Sequence, residues 1–516
     1  MKNCLQILFS VTSIKNYRTP VILNFMILHI MIGIISQISY AKCQIKNSDG
    51  SPIKIKTDPL YRLLEKSSAC PENAQSLRSL IKNEGLILKT SMVANRGFHN
   101  PSLGSFSFFE EVMSTSKSRL TISEGEFFFG HFTTLVGGLL ELDQTPELHK
   151  LMIELIVWDK EDGLFNFYEL IGTATEGQWF YRGNSTDILN DNTNLYLDPQ
   201  PGAPKFGTTL RCAGCHISGG PIMKEISQPH NDWWTKLRPL PFGKMKLSNS
   251  VSKIVSNLLD AENFSQAVKK GIQTLEDSQQ FQKFKSQMPL QIQLRPLFCE
   301  TEINLESDLE PFQANTNAIK VPSTSVVNPI LGQHDLTLAK QNYLALLDLF
   351  KMKFPETNQN DGDHAWLVPV KGYSDLLSIQ SLIKRGIITE EFALDVLAVD
   401  FQQPLFSTKR CDLLELIPKS GGLEAFTENL RVSNLPSAQD LYKNLTDPKK
   451  NKQLHIMQAF KRLNEVQSNL NSAENQKHFF QNLINQRKAV FESEISKNPK
   501  GQILEPGFRV IFPLPQ

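Results

Sequence analysis

The stretch LMIELIVWDKEDGLFNFYELI, residues 151–171, decides the fold class of this 516-residue chain. Two apolar runs, Leu151–Trp158 and Leu164–Ile171, flank Asp159–Gly163, whose charged residues and closing glycine are typical of a hairpin turn. The runs are rich in β-branched and aromatic side chains, which favour strands. The stretch therefore predicts a β-hairpin, and Gln178–Arg182 predicts a third strand that follows it.

The sequence on either side of the hairpin predicts an α+β chain. Residues 42–90 have apolar side chains at helical spacing, and residues 105–136 contain aromatic runs broken by glycine. The polar, proline-punctuated residues 184–205 predict a linker or lid. Beyond Ser248 the pattern is helical, with helices expected at 251–259, 264–284, 336–353, 375–385, 390–400 and in the charged tail 437–496.

We divide the chain into four parts on these patterns. They are an export signal at 1–41, a helical then β-rich N-terminal module at 42–200, a module at 201–298 that contains a cysteine motif, and a mostly helical C-terminal region at 299–516. The composition, with 40% hydrophobic and 21% charged residues, is ordinary for a folded protein. A net charge of +1 gives no reason to expect a nucleic-acid partner.

The N-terminal residues have the features of a secretory signal. Three basic residues precede the apolar stretch 21–35, and the small residues Ser39 and Ala41 predict cleavage after Ala41. The alternative is an uncleaved anchor, because the apolar stretch approaches the length that spans a bilayer. Either interpretation places the remaining chain in the oxidising periplasm, and cleavage would leave no stable membrane span.

The pentapeptide Cys212-Ala-Gly-Cys215-His216 is the strongest chemical signal in the chain. In a c-type haem site, two thiols at this spacing form thioether links to the porphyrin vinyl groups, and the adjacent histidine ligates the iron. A zinc site would need two further ligands, and although His230 is available, no second cysteine pair exists. A redox dithiol is expected after a buried strand in a βαβ unit, which the sequence before the motif does not resemble. We predict one covalent haem c, held by Cys212 and Cys215, with His216 as the iron ligand.

The motif also accounts for the use of the other cysteines. If its two thiols are used together, the four remaining cysteines outside the signal can form two disulfides, as exported proteins favour. Three connectivities are possible. Our preferred pairs are Cys43 with Cys70 and Cys299 with Cys411.

The pentapeptide, followed by Gly219-Gly220-Pro221-Ile222, resembles the opening of a c-type cytochrome domain. The resemblance covers about residues 205–295. It implies that 201–298 is a mostly helical, cytochrome c-like haem domain and that the Pro221 carbonyl accepts a hydrogen bond from His216. It further implies single-electron transfer to a redox partner, which the sequence does not identify.

The residue opposite His216 on the iron stays open. The candidates are Met245, Met223, His230 and a vacant position. Met245 ends Pro241-Phe-Gly-Lys-Met245, which resembles the methionine loop of small cytochromes. A methionine or histidine ligand is typical of electron transfer, and a vacant position is typical of a haem that activates oxygen or peroxide.

The sequence therefore favours an exported monohaem c-type cytochrome-domain protein that transfers electrons. The chain is far longer than a simple electron carrier requires, which motivates two alternatives. One is a peroxidase- or oxygenase-type enzyme with a vacant sixth iron position, and the other is a haem-based redox sensor. Whether the protein is an enzyme stays open.

Overall fold

The computed structural model describes most of the chain from residue 43 onwards. The described residues are 43–93, 107–142, 146–197, 209, 212–213, 216, 218–221, 245–299, 302–307, 317–321, 323, 326–332, 334–350, 353–354, 359–360, 367–371, 373–404, 407–447, 452–482 and 509–511. The predicted export signal lies outside them, as do Cys215, Met223 and His230.

A mixed sheet of nine described strands, in which only two of the strand pairs are parallel, forms the first part of the fold. The strands are β1 Ile45–Lys46, β2 Ile87–Val93, β3 Ser107–Met113, β4 Phe127–Val136, β5 Leu139–Leu142, β6 Leu151–Asp159, β7 Leu164–Gly172, β8 Gly177–Asn184 and β9 Lys246–Leu247. Their order in the sheet is β1-β8-β7-β6-β4-β3-β2, and β5 pairs with both β4 and β9. Strands β6 and β7 are the predicted hairpin and β8 is the predicted third strand, so both predictions are confirmed.

Helices cover the sheet and build most of the C-terminal half. They are α1 Pro59–Lys66, α2 Ala74–Asn83, α3 Ser185–Leu197, α4 Asn249–Val255, α5 Ala261–Glu276, α6 Gln279–Gln287, α7 Leu290–Phe298, α8 Lys340–Phe350, α9 Tyr373–Lys384, α10 Glu390–Ala398, α11 Thr408–Cys411, the 3-10 helix Asp412–Leu416, α12 Gly422–Val432, α13 Pro436–Thr446 and α14 Lys452–Asn469. Residues 473–482 are also helical. The predicted α+β class is confirmed.

Short strands complete the C-terminal half. Strands β10 Glu302–Ser307, β15 Leu367–Lys371 and β16 Arg509–Ile511 form one sheet, β11 Ala318–Val321 pairs with β12 Leu336–Ala339, and β13 Lys353–Phe354 pairs with β14 Gln359–Asn360. The helix predicted at 336–353 is therefore shorter than expected, because its first four residues pair with β11 as a strand.

The hairpin turn forms for the reasons that the sequence indicates. Asp159 Oδ1 accepts hydrogen bonds from the backbone N–H groups of Glu161 (3.0 Å) and Asp162 (3.3 Å). Gly163 closes the turn with φ +64°, a conformation that glycine adopts without a steric penalty. Its carbonyl accepts a hydrogen bond from Ser278 Oγ at 2.5 Å, which ties the turn to the N-terminus of α6.

The prediction of a linker at 184–205 is wrong for residues 185–197, which form the helix α3. Asn184 Oδ1 accepts from the backbone N–H groups of Thr186 (2.9 Å) and Asp187 (3.1 Å), as an N-cap residue does. Tertiary packing supports the polar helix, since Ile188 is fully buried and Ser185 Oγ bonds the backbone N–H of Phe165 at 3.0 Å.

Two disulfides close the pairs predicted from the sequence. Cys43 is bonded to Cys70, with 4.8 Å between their Cα atoms, and Cys299 is bonded to Cys411, with 4.4 Å. The second bond joins the C-terminus of α7 to α11 inside the C-terminal core. Among the described residues, no helix combines the length and apolar character that crossing a lipid bilayer requires.

Asp58 joins α1 to the central hairpin. Its Oδ1 accepts from the Tyr61 N–H at 3.0 Å, and its Oδ2 accepts from the Tyr168 hydroxyl at 2.5 Å and from Asn166 Nδ2 at 2.9 Å. The carboxyl is fully buried. Burial raises the pKa of Asp58 to about 6, against the opposing effect of these hydrogen bonds, and nearby Asp159 adds to the rise.

This raised pKa predicts a pH-dependent stability. Because the pKa of Asp58 is about 6 in the folded protein and 3.8 ordinarily, the folded state retains a proton that the unfolded state releases between these values. The contribution of Asp58 to the free energy of unfolding is therefore full below about pH 4 and is lost as the pH rises through about 6. We expect the stability of wild type relative to Asp58→Asn, measured by urea unfolding, to fall by about 2–3 kcal/mol from about pH 4 to about pH 7. A difference between the two proteins that is constant over this range would contradict the prediction.

Candidate functional site

The described part of the cysteine motif lies against one face of the large sheet. Cys212 and Ala213 are buried in a cluster that we call the motif cluster. Its members are Phe128, Ile156, Trp158, Leu164, Phe165 and Phe167 from the sheet, Ile188 from α3, Cys212 and Ala213, Phe264, Ala267, Val268, Ile272 and Leu275 from α5, and Phe281 and Leu377 from α6 and α9. The opposite face of the sheet is covered by α1 and α2. The motif is thus part of a core that it shares with the sheet.

Backbone hydrogen bonds give the motif a helical turn. The Cys212 N–H donates to the Thr209 carbonyl at 3.1 Å, and the His216 N–H donates to the Cys212 carbonyl at 2.7 Å. The Thr209 hydroxyl donates to the Asp191 carboxylate of α3. These bonds place Cys212 and His216 close together and attach this part of the chain to α3.

The chain reverses direction at Gly219. Its N–H donates to the His216 carbonyl at 2.7 Å, and its φ is +78°. A Cβ at this position would lie 2.6 Å from the Ser185 carbonyl oxygen of α3. Both the backbone conformation and the close approach therefore require glycine at Gly219.

The chain reversal at Gly219 determines which backbone carbonyl accepts a hydrogen bond from the His216 ring. His216 Nδ1 lies 2.9 Å from the Gly220 carbonyl oxygen, and because a carbonyl only accepts, Nδ1 donates. A neutral imidazole in this tautomer carries its lone pair on Nε2, the nitrogen suited to ligate a metal. The expected partner was the Pro221 carbonyl, and this expectation is corrected: the tight turn at Gly219 brings the preceding carbonyl to the ring.

Pro221 has a packing role. It is buried, and a Cβ added to Gly271 of α5 would lie 2.6 Å from Pro221 Cγ and 2.6 Å from the Gly125 carbonyl oxygen. The proline ring and the Gly125 backbone thus occupy the notch that the missing side chain leaves on α5. This contact fixes the end of the motif loop to the helix.

Phe167 of β7 contacts the imidazole of His216. The ring centroids are 5.3 Å apart and the planes are inclined at 62°, an edge-to-face arrangement. Phe167 is almost completely buried. Sequence analysis missed this residue because the sequence predicts the strand but not which element packs on it.

Met245, one of the proposed sixth ligands, packs in a different cluster. It is half-buried against Met92, Phe108, Leu140, Leu142, Val251 and Ile254, whereas Cys212 belongs to the motif cluster. This environment is that of a methionine that fills space in an apolar core. The other named candidates, Met223 and His230, lie outside the described residues, as does Cys215.

The described residues of the motif supply part of the donor set that a c-type haem would need. A haem iron takes four nitrogens from the porphyrin, so the protein needs to supply only an axial ligand and, in a c-type site, two thiols. His216 and Cys212, held in one turn, match part of this requirement. In the part of the chain that the structure describes, no three His, Cys, Asp or Glu side chains are grouped so that they could bind a metal ion by themselves.

Comparisons with known proteins return no relative that would identify the chain. No protein-family model, no curated protein and no solved structure matches it.

Proposed function

We propose that this is an exported monohaem c-type cytochrome-domain protein that binds haem covalently and transfers electrons. The observation that supports the proposal best is the hydrogen bond from His216 Nδ1 to the Gly220 carbonyl, in the same turn as Cys212. It selects the imidazole tautomer that a proximal ligand needs, in a sequence with the spacing of a haem attachment motif. When bound, the haem supplies a one-electron redox centre.

Each residue of the site has a defined part in this proposal. Cys212 and Cys215 hold the porphyrin through thioether bonds, and His216 ligates the iron through Nε2. The Gly220 carbonyl orients the imidazole and increases its basicity, and Phe167 limits its rotation. The burial of Cys212, which is 7% exposed, excludes water from its side of the site.

The cellular context forms part of the same proposal. The signal at 1–41 would direct the chain to the periplasm, where a cytochrome c-like module at 201–298 would lie between the modules at 42–200 and 299–516. The redox partner is unidentified, and no nucleic-acid partner is proposed.

The packing of Met245 favours a second candidate function. If Met245 serves the apolar core, a vacant sixth position becomes more favourable, as in a peroxidase- or oxygenase-type enzyme or a haem-based redox sensor. Carbon monoxide separates the candidates. A reduced protein whose Soret band shifts on adding carbon monoxide supports the second function, whereas an unchanged spectrum supports electron transfer.

The test of covalent attachment uses the full chain, exported from a bacterium that has c-type haem maturation. We expect a haem-stained band at the mass of the protein on a denaturing gel, and a pyridine haemochrome spectrum with one haem per chain. Cys212→Ala/Cys215→Ala should lose the stain. The matched control, Cys43→Ala/Cys70→Ala, removes two cysteines outside the motif and should keep it.

Two results would refute the proposal. One is wild-type protein that is exported and folded but carries no covalent haem. The other is a Cys212→Ala/Cys215→Ala protein that stains as strongly as wild type.

A further inference from the structure

A cleft opens between the hairpin turn at 159–163, the start of α3 and one side of α6. Its volume is about 590 Å³, within the range of small-molecule sites. An engineered cavity of about 150 Å³ holds benzene, so this cleft has room for about two dozen non-hydrogen atoms, the size of a disaccharide. The described residues that line it are Glu161, Asp162, Leu164, Asn184, Thr186, Gln280, Lys283, Phe284 and Gln287.

Contacts between the three walls fix the shape of the cleft. A Cβ added to Gly163 in the hairpin turn would lie 3.6 Å from Gln280 Cγ of α6. The start of α3 is held to the hairpin by the hydrogen bond between Ser185 Oγ and the backbone N–H of Phe165. Gln280 and Gln287 are two turns apart on α6, a separation of roughly 10 Å. A single ligand as long as a disaccharide can therefore reach every wall.

The charges that line the cleft cancel. Glu161 Oε1 forms an ion pair with Arg62 Nη2 at 2.9 Å, so this carboxylate already has a cation. The remaining charges are one carboxylate, that of Asp162, and one ammonium group, that of Lys283. An ionic ligand of either sign would meet one attractive and one repulsive group. The charges of the cleft therefore favour a neutral ligand.

Polar side chains of the cleft have hydrogen-bonding capacity that the fold does not use. Within the described part of the chain, no hydrogen bond or ion pair engages the side chains of Asp162, Gln280, Lys283 and Gln287. Asn184 caps α3 with its Oδ1, which leaves its Nδ2 as a donor. Amide groups both donate and accept, as hydroxyl groups do. A ligand rich in hydroxyl groups can thus replace the water that solvates these side chains without loss of hydrogen bonds.

Part of the lining is apolar. Phe284 is partly buried on α6, and Leu164 lies at the start of β7. A pyranose ring carries hydroxyl groups around its rim and C–H groups on its faces. Its rim can therefore bond the amides while one face packs on an aromatic ring, whose face is electron-rich and attracts C–H groups. A linear polyol has no such face, so the combination of groups favours a cyclic sugar.

We propose that this cleft binds a neutral disaccharide. The Asp162 carboxylate accepts hydrogen bonds from the sugar hydroxyl groups, and Phe284 packs on one of the two rings. Gln280 and Gln287 bond the sugar near the two ends of the cleft. This site goes beyond the proposed function and does not depend on it, because no lining residue is a candidate haem ligand.

The test is calorimetric titration of the full chain with cellobiose, maltose and diacetylchitobiose, neutral disaccharides that differ in linkage and substituents. We expect at least one of them to bind at one site per chain. Asp162→Ala should weaken this binding by about tenfold or more, the usual effect of losing a hydrogen bond to a charged group. Gln287→Ala, which removes a neutral partner, should weaken it by about two- to tenfold. Circular dichroism verifies that each variant is folded.

The matched control is Glu176→Ala, which removes an exposed carboxylate from the turn between β7 and β8, at the end of β7 remote from the cleft. It should leave binding unchanged. The proposal is overturned if none of the three disaccharides binds, if triglycine binds as tightly as the best of them, or if Asp162→Ala binds like Glu176→Ala. Cys212→Ala/Cys215→Ala should bind the sugar like wild type, so a failure of this proposal is distinguishable from a failure of the proposed haem function.

Discussion

In the haem-loaded protein that we propose, replacing His216 by glycine is expected to leave the haem covalently attached while removing the nitrogen ligand of the iron. Attachment depends on the two thiols and ligation depends on the imidazole, so the two properties separate in this variant. The haem stain on a denaturing gel should remain. The Soret band of the oxidised protein should move, and its electron paramagnetic resonance spectrum should lose the signature of histidine ligation.

The contacts of His216 predict rescue by added imidazole. The deleted ring leaves a space bounded by the Gly220 carbonyl and the edge of Phe167. A free imidazole that enters this space can donate to the same carbonyl and present its other nitrogen to the iron. We therefore expect millimolar imidazole, a concentration of the order typical for weak ligands, to restore the wild-type spectrum.

The control is His334→Gly, which deletes an exposed imidazole from the C-terminal half. Its spectrum should equal that of wild type, with or without imidazole. A His216→Gly protein with an unaltered spectrum would show that another residue is the proximal ligand.

We expect a large loss of folding free energy when the buried ionic cluster around Glu110 loses its cation. This carboxylate is fully buried, and Arg78 of α2 forms an ion pair with it. It also bonds His131 Nε2 at 2.9 Å and the Thr90 hydroxyl at 2.7 Å. Burial, together with the charge of Arg78, holds the pKa of His131 well below its ordinary value, so this histidine is neutral. Arg78 is the cation that balances Glu110 in this cluster.

Arg78→Met should therefore destabilise the protein by about 3–5 kcal/mol, because it leaves a buried carboxylate without its counter-ion. The double variant Arg78→Met/Glu110→Leu should recover much of this loss, since it removes both charges and fills the space with apolar groups. Urea unfolding monitored by circular dichroism gives the three free energies of unfolding.

The matched control is Arg62→Met in α1. Arg62 forms an ion pair with Glu161 at 2.9 Å, but both side chains are exposed, and such pairs contribute at most about 1 kcal/mol. If Arg78→Met destabilises the protein no more than Arg62→Met does, Arg78 does not stabilise the folded protein as the counter-ion of the buried Glu110 carboxylate. A double variant that is less stable than Arg78→Met would contradict the charge-balance explanation.

Local chemistry was the predictable part of this fold. Asp159 and Gly163 specify their turn within five residues, and Thr389 caps α10 by accepting a hydrogen bond from the Phe392 N–H. The disulfide of Cys43 with Cys70 spans a short segment of chain. The turn and the cap are determined by residues close together in the sequence, whereas both disulfide pairings were preferences among three connectivities, and Cys299 and Cys411 are separated by 112 residues.

Features that depend on tertiary contacts were not predictable in the same way. Helix α3 is too polar to stand out, and only the cap at Asn184 indicates its start. The choice of the Gly220 carbonyl over that of Pro221 depends on the reversal at Gly219 beneath Ser185. Phe167 and Glu110 occupy strands that the sequence places in a β-rich module, but their partners come from distant segments.

The contact of Gly125, Pro221 and Gly271 has a consequence for how the protein can evolve. The backbone of Gly125, the ring of Pro221 and the backbone of Gly271, which are far apart in the sequence, meet there in close contact. A mutation that adds a methyl group at Gly271 would have to displace both the motif loop at Pro221 and the backbone at Gly125, the segment before β4. We therefore expect the effects of substitutions at these three positions on the free energy of unfolding to be non-additive, so that what the motif loop tolerates depends on a helix and a sheet that are distant in sequence.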